Sequence, residues 1–259
     1  MSAKKETFGK TLGFVIAVCL ACAALVSISA VQLKPLQVEN KLFDQQTKIL
    51  QAADILSMTD GTKASIQSTF EQFVDAKMID LDSGEFIEGN PKLFDERRNA
   101  RDPEKSSDLE EDIAGINRRS HTAVVYLVSN GAGEIETVVL PIVGSGLWDL
   151  MYGYVGLKSD LNTVRNLIYS DHKETPGLGA EVINPKWIAK WPGKKIYDEA
   201  GNVAIELVKG GAKASNEHGV DALSGATLTS NGVTRTLQFW FGEKGYKPFI
   251  TKFRTQEVK

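Results

Sequence analysis

His121-Thr122-Ala123-Val124-Val125-Tyr126-Leu127-Val128, then Asn130-Gly131-Ala132-Gly133, then the run from Ile135 to Val143, form two β-rich arms around a glycine-rich turn. β-branched and aromatic residues fill both arms, and an Asn-Gly step between such runs is a strong hairpin signal. Downstream, Tyr152 to Leu157 and Val164 to Tyr169 read as further strands. Val203 to Val208 follows a second turn signal, Glu199-Ala200-Gly201-Asn202. Pro185 to Trp191 predicts a short helix. Asn231 to Glu243 predicts a longer one, with Val233, Leu237, Trp240 and Phe241 on one stripe and Gly242 and Gly245 as stop signals. A strand meander flanked by helices predicts an α+β domain with a mostly antiparallel sheet over residues 121–259.

Upstream of the hairpin the expected elements are helical. Leu42, Phe43, Ile49, Leu50, Ala53 and Ile55 suit one amphipathic helix between Leu42 and Leu56, and Ile66, Phe70, Phe73 and Val74 suit a second. From Glu85 to Arg119 the chain turns polar, with Arg97, Arg98, Arg101, Asp102, Glu104 and Lys105 followed by Asp108 to Asp112. That stretch reads as a loop or partly helical insertion with a solvated charged face. Residues 34–120 are therefore expected to be a helical segment carrying a polar insertion.

Thr11 to Leu33 holds no charged residue and lies between Lys10 and Lys34. At about 1.5 Å per helical residue it spans a hydrocarbon core of roughly 30 Å. A cleaved signal peptide is the competing reading, with Ser27-Ile28-Ser29 as a small-x-small site. The apolar stretch exceeds the usual length for one, which favours a retained single-pass anchor over 11–33. Lys4, Lys5 and Lys10 against Glu6 make residues 1–10 a positive tail, expected on the cytoplasmic side with the globular part outside. Both cysteines, Cys19 and Cys22, fall inside the apolar run. No disulfide is expected in the globular part, and any redox chemistry there must come from a cofactor.

The composition excludes several classes. The chain has 259 residues, 42% hydrophobic and 24% charged, with net charge −3 and pI near 5.7. No basic patch stands out, so nucleic acid is not an expected partner. No Rossmann-type G-x-G-x-x-G is present, so the sequence gives no support to nicotinamide binding by this chain. His121, His172 and His218 form no cluster; no metal site and no catalytic nucleophile–base pair is expected.

Asp221-Ala222-Leu223-Ser224-Gly225-Ala226-Thr227, followed by Leu228-Thr229-Ser230, packs four hydroxyls ahead of the Asn231 helix. Gly225 lets the backbone turn and lets a bulky group approach. Free N–H groups and the dipole at a helix start favour a phosphate. The plain alternative is an ordinary Ser/Thr-rich N-cap loop. The order Asp-x-x-Ser-Gly-Ala-Thr, however, resembles the flavinylation motif of the covalent FMN-binding domain family. There, an FAD-dependent flavin transferase moves FMN onto the hydroxyl of the last threonine. The resemblance implies FMN bound covalently to Thr227, with Asp221 serving transferase recognition and Ser224, Gly225, Ala226, Leu228 and Thr229 around the cofactor.

Two more stretches resemble that family in the same order. His172-Lys173-Glu174-Thr175-Pro176-Gly177-Leu178-Gly179 holds a Pro-Gly turn that can lie close to a flat ligand. The resemblance implies Leu178 over one flavin face, Glu174 and Thr175 at its polar edge, and Gly179 beside it. Gly144-Ser145-Gly146-Leu147-Trp148 is expected to line the same pocket. Glu174, Thr175 and Lys209 are expected to bias the flavin's reduced states. Over nearly its whole length, including Leu33-Lys34-Pro35-Leu36-Gln37, Phe43-Asp44-Gln45-Gln46 and Ile49-Leu50, the chain resembles the C subunits of sodium-translocating NADH:quinone oxidoreductases. The related G subunits of Rnf complexes are usually shorter than a chain carrying the stretch from Glu85 to Arg119. Either likeness implies an electron relay among other membrane subunits of a respiratory complex in the bacterial inner membrane, with the flavin domain periplasmic. The remaining alternative is a membrane-anchored binding or scaffold module without redox chemistry.

Overall fold

The computed structural model describes residues 8–257. The chain divides into two compact units, the first ending at Asp44 and the second beginning at Gln45. The first is helical. Helix α1, Phe8–Ala52, contains the apolar run, and the mean hydropathy of its most apolar window is 2.7. Leu12, Phe14, Val15, Ile16, Val18 and Leu20 are all exposed, and together they lie on every side of the helix. A stretch of helix that is apolar all round, with nothing among the described residues packed on it, matches lipid as its solvent. Pro35 lies inside α1 without ending it, so the helix expected from Leu42 is the continuation of the same element. Lys4, Lys5 and Glu6 lie outside the described residues.

The second unit opens with the last turns of α1, where Gln46, Ile49, Leu50 and Ala52 are buried. Asp54 then turns the chain at φ 61°. Helix α2, Lys63–Phe73, is capped by Thr62, whose hydroxyl accepts from the Ser65 N–H at 3.2 Å. Strand β1, Val74–Asp80, follows without a loop, and β2, Phe86–Ile87, turns back on it. After α3, Glu96–Arg101, a small ladder pairs β3, Ser106–Asp108, with β4, Arg118–Ser120. The central meander is β5, Thr122–Ser129, β6, Ile135–Ser145, β7, Leu150–Lys158, and β8, Val164–Asp171. A short α4, Pro185–Ile188, precedes β9, Glu206–Val208, and β10, Gly219–Asp221; α5, Thr227–Trp240, and α6, Lys247–Glu257, complete the unit.

The main sheet has the order β2-β1-β5-β6-β7-β8, antiparallel throughout. β9 and β10 pair in parallel as a separate ribbon. The hairpin turn closes through the Asn130 N–H to Glu134 O at 2.8 Å and the Gly133 N–H to Asn130 O at 3.0 Å. Period-two alternation sends Val125 and Leu127 into the large core against Val233, Leu237, Trp240, Phe249 and Ile250. Val124, Tyr126 and Val128 enter the second core with Ile49, Ala52 and Ala53. Burial on both faces explains why β5 reads as a continuous apolar run.

The structure corrects two expectations. The sheet begins at Val74 rather than at His121: β1 pairs with β5 along its whole length. The turn from α2 into β1 carries no glycine or proline, and Val74 also fits the stripe of the preceding helix, so only the apolar–polar alternation from Val74 to Met78 marks the change of period. The polar segment is also not a uniformly solvated face. Arg119 is 6% exposed, donates to Lys244 O at 2.6 Å and pairs with Asp82. Arg97 stacks 3.7 Å over the Tyr152 ring and bridges to Asp171 at 2.5 Å.

Candidate functional site

The start of α5 is built from its hydroxyls. Ser230 Oγ donates to Ala226 O at 2.9 Å and accepts the Leu223 N–H at 3.0 Å, folding the loop back onto the helix. Leu223 and Ala226 are buried by this fold, while Ser224, Thr227 and Leu228 are exposed. Gly225 holds φ at +72°, in the left-handed region, and a methyl group there would stand 3.0 Å from Leu178 Cδ2. Thr229, 1% exposed, gives its hydroxyl to Glu174 Oε2. Of the four hydroxyls in the motif, Thr229 and Ser230 are thus committed. Among the described residues the side chains of Ser224 and Thr227 have no hydrogen-bond partner.

Ala226 occupies the N-cap and offers no side-chain acceptor, and no acidic residue stands in the first turn of α5. The first helical bond at this end runs from the Ser230 N–H to Ala226 O at 2.9 Å. The N–H groups of Thr227, Leu228 and Thr229 therefore face outward at the positive end of a 14-residue helix. Such an end attracts a phosphate.

Glu174 joins the three predicted stretches. It is 5% exposed. Its Oε1 accepts the Leu147 N–H at 2.9 Å and the Trp148 N–H at 3.1 Å, while Oε2 accepts from Thr229. Trp148 Nε1 donates to Thr175 Oγ1 at 3.1 Å. The turn beyond is closed by the Leu178 and Ala180 N–H groups on Thr175 O, each at 3.1 Å. Trp148, Leu147, Leu178 and Leu228 all stay exposed around Thr227's end of the helix, Trp148 by 67%. The family likeness puts Glu174 at a flavin's polar edge; its carboxylate is instead turned inward onto protein donors. Gly179 is buried against Glu174 and Thr229, and the half-buried Gly146 lies against Glu174 and Met151.

Asp221 and Lys209 stand apart from this cluster. The Asp221 carboxylate pairs with Lys190 and accepts the Ala212 N–H at 2.8 Å. The bond from Lys190, then that from Ala212, holds its carboxyl below the usual range. Its carbonyl accepts Trp187 Nε1 at 2.9 Å. Asp221 thus ties β10 to α4 and to the turn at Ala212. Lys209 is exposed after β9, and among the described residues it makes no hydrogen bond or ion pair with the Glu174 network. Asp149, beside Trp148, is held low in pKa by the Lys173 ammonium that bonds it. The three histidines have separate partners: Ser107 for His121, the Glu174 N–H for His172, Lys195 O for His218.

One wall of the site lies outside the three stretches expected to form it. A cleft of about 310 Å³ beside Leu147 and Leu228 is closed by Ile113 to Gly115 and by Arg235. Ser145 donates its N–H to Ala114 O at 2.7 Å, which fixes that loop to the end of β6. Arg235 was findable, since Leu228, Gly232 and Arg235 follow helical spacing on one face. Ile113, one apolar residue in an acidic run, gave no signal.

Known proteins share this fold. An FMN-binding domain family matches residues 146–242, the span from Gly146 through α5. The C subunit of the Na(+)-translocating NADH-quinone reductase of Vibrio alginolyticus is 45% identical over 260 residues, covering 100% of both chains. The chain belongs to this C-subunit family, NqrC. The family's member from Pasteurella multocida (strain Pm70) is 45% identical over 98% of this chain and 97% of its own. The crystal structure of NqrC from Shewanella oneidensis matches with TM-score 0.79 and 38% identity, over 85% of this chain and 99% of that one. The corresponding protein from Parabacteroides distasonis matches with TM-score 0.66 and 27% identity, over 85% of this chain and 97% of that one. The antiparallel sheet with flanking helices is therefore the fold of the NqrC family, and the match at 146–242 takes in the Glu174 loop, the Thr227 motif and most of the Trp148 loop.

Proposed function

We propose that this chain is the electron-relaying flavoprotein subunit of a Na(+)-translocating NADH-quinone reductase, a translocase, with FMN joined through a phosphodiester to Thr227. The observation that carries the reading is the state of Thr227: an exposed, uncommitted hydroxyl on the first residue of an uncapped helix, inside the stretch matched by the FMN-binding family. In the attachment step an FAD-dependent flavin transferase would supply the substrate. A bond forms between Thr227 Oγ and the FMN phosphorus, the FAD pyrophosphate link breaks, and the hydroxyl proton leaves with the AMP released.

The residues present fit the group. The first-turn N–H groups of α5 would hold the phosphate, and Leu178, Trp148 and Leu147 offer exposed apolar surface for a ring. The flavin, when bound, supplies reversible electron acceptance; the protein sets its position and surroundings. Because the tether prevents loss, the surrounding surface can stay open to redox partners, as the exposure of Trp148 and Leu178 does here. Neighbouring membrane subunits of the complex are the partners this implies. The full-length matches to NqrC favour this over an Rnf-type G subunit. Purified with an active transferase, the chain should remain yellow after denaturation and, when native, bleach with a chemical reductant and recover with an oxidant. A colourless chain would leave an anchored binding module.

We also assign the second unit to the periplasmic face, with α1 crossing the inner membrane once and its N-terminus in the cytoplasm. The support is the positive tail, Lys4, Lys5 and Lys10 against Glu6. Protease added to spheroplasts should then digest the second unit; protection equal to that of a cytoplasmic marker would reverse the assignment.

A further inference from the structure

We infer that Glu174 is a positioning residue: its buried carboxylate locks the Trp148 loop and the Leu178 turn onto the first turn of α5, and so orients whatever is attached to Thr227. This rests on the flavin reading above and adds to it how the flavin is held. A covalent tether fixes where a cofactor is, not how it faces. The ribityl chain between phosphate and ring is flexible, so orientation must come from the two loops that bear Trp148 and Leu178. Exposed side chains join the two loops to each other, Trp148 Nε1 to Thr175 Oγ1 at 3.1 Å and Lys173 to Asp149 at 2.5 Å, but neither of these contacts reaches α5.

Glu174 supplies the anchor. One oxygen takes two consecutive N–H groups, Leu147 at 2.9 Å and Trp148 at 3.1 Å, and so fixes the backbone that carries the indole. The other oxygen takes the Thr229 hydroxyl, two residues after Thr227 on α5. Glu174 itself begins the turn that ends at Gly179, so three segments meet on one carboxylate. The packing leaves it no alternative position. A methyl group on Gly146 would drive into Oε1, and one on Gly179 into Oε2 and into Thr229 Oγ1 at 2.6 Å. Its bonded partners are all neutral. A buried carboxylate without a cation is tolerated only when hydrogen bonds satisfy it, so the three bonds act as a unit and losing one leaves the others strained.

The test uses the full-length chain, made with an active flavin transferase, as wild type, Glu174→Ala, Glu174→Gln and Thr229→Val. Intact mass reads loading, thermal unfolding reads the fold, and flavin fluorescence anisotropy with visible circular dichroism reads orientation. Glu174→Ala should load and fold, with both orientation signals at least halved. Glu174→Gln should restore them: one oxygen still accepts both N–H groups, and the amide donates to Thr229 Oγ1. Thr229→Val, which removes only the link to α5, should fall between. Loaded Glu174→Ala and Thr229→Val with wild-type signals would overturn the inference, as would Glu174→Gln disordered like Glu174→Ala. If Glu174→Ala fails to fold or load, Thr229→Val decides by the same criterion. An unloaded wild type would overturn the flavin reading and this inference together, whereas loaded variants with unchanged signals overturn this one alone.

Discussion

Thr227→Val will give a folded chain with no covalent flavin, and Thr227→Ser will give a flavinylated one. Valine keeps the β-branched shape and removes the one oxygen that could attack a phosphorus. Thr227 is exposed and its hydroxyl bonds to nothing among the described residues, so the fold loses almost nothing. Serine keeps the oxygen at the same first helical position. Flavin fluorescence of the denatured polypeptide reads the attachment directly. In the assembled complex, the Thr227→Val chain should lower NADH-driven quinone reduction to background, because the relay has lost its carrier. Covalent fluorescence persisting in Thr227→Val would move the acceptor elsewhere, with Ser224 the other uncommitted hydroxyl of the motif.

Trp240→Ala carries the largest expected cost in stability. Trp240 is 1% exposed at the end of α5. Its indole packs on Phe239 and Tyr246, with ring centroids 5.4 and 5.2 Å away. Nε1 donates to Val143 O at 2.7 Å, which joins α5 to the strand leading into the Ser145–Trp148 loop. Truncation removes the ring from the core and leaves that carbonyl without its donor. The expected loss is about 3–5 kcal/mol, or a fall in unfolding temperature on the order of 10 °C for a unit of this size. Thermal unfolding of the detergent-solubilised chain measures it. A shift within error of wild type would mean that α5 is not held to the sheet through this residue.

Much of this was legible in the sequence because the relevant signals are local. The Asn130-Gly131 turn between two β-branched runs, the uncharged stretch from Thr11 to Leu33 and the apolar stripe of α5 each declare themselves within a couple of dozen residues. The motif ending at Thr227, proposed here as the acceptor, is local too, and Trp148, Thr175 and Leu178 from the other two stretches come together in the structure. What stayed hidden depends on long-range pairing. β1 does alternate apolar and polar from Val74 to Met78, but the helical stripe that ends at Val74 masks this signal, and pairing with β5 is what makes it a strand. Arg119 looks like one more charge in a polar run until Asp82 and Lys244 O supply its partners from distant segments. Glu174 reads as a surface contact, because nothing in its own loop reveals that Leu147, Trp148 and Thr229 consume both its oxygens. Asp221 likewise gains a structural partner in Lys190, far from its own motif. A residue's type can be read locally; whether its polar atoms are already spent cannot.

The most direct test of the central claim is fragmentation mass spectrometry of the peptide that spans Ser224 to Arg235, from wild-type protein made with an active flavin transferase. The expected result is the mass of FMN less one water on residue 227 alone. The same mass on Ser224, or an unmodified peptide while the transferase modifies a known acceptor, would contradict it.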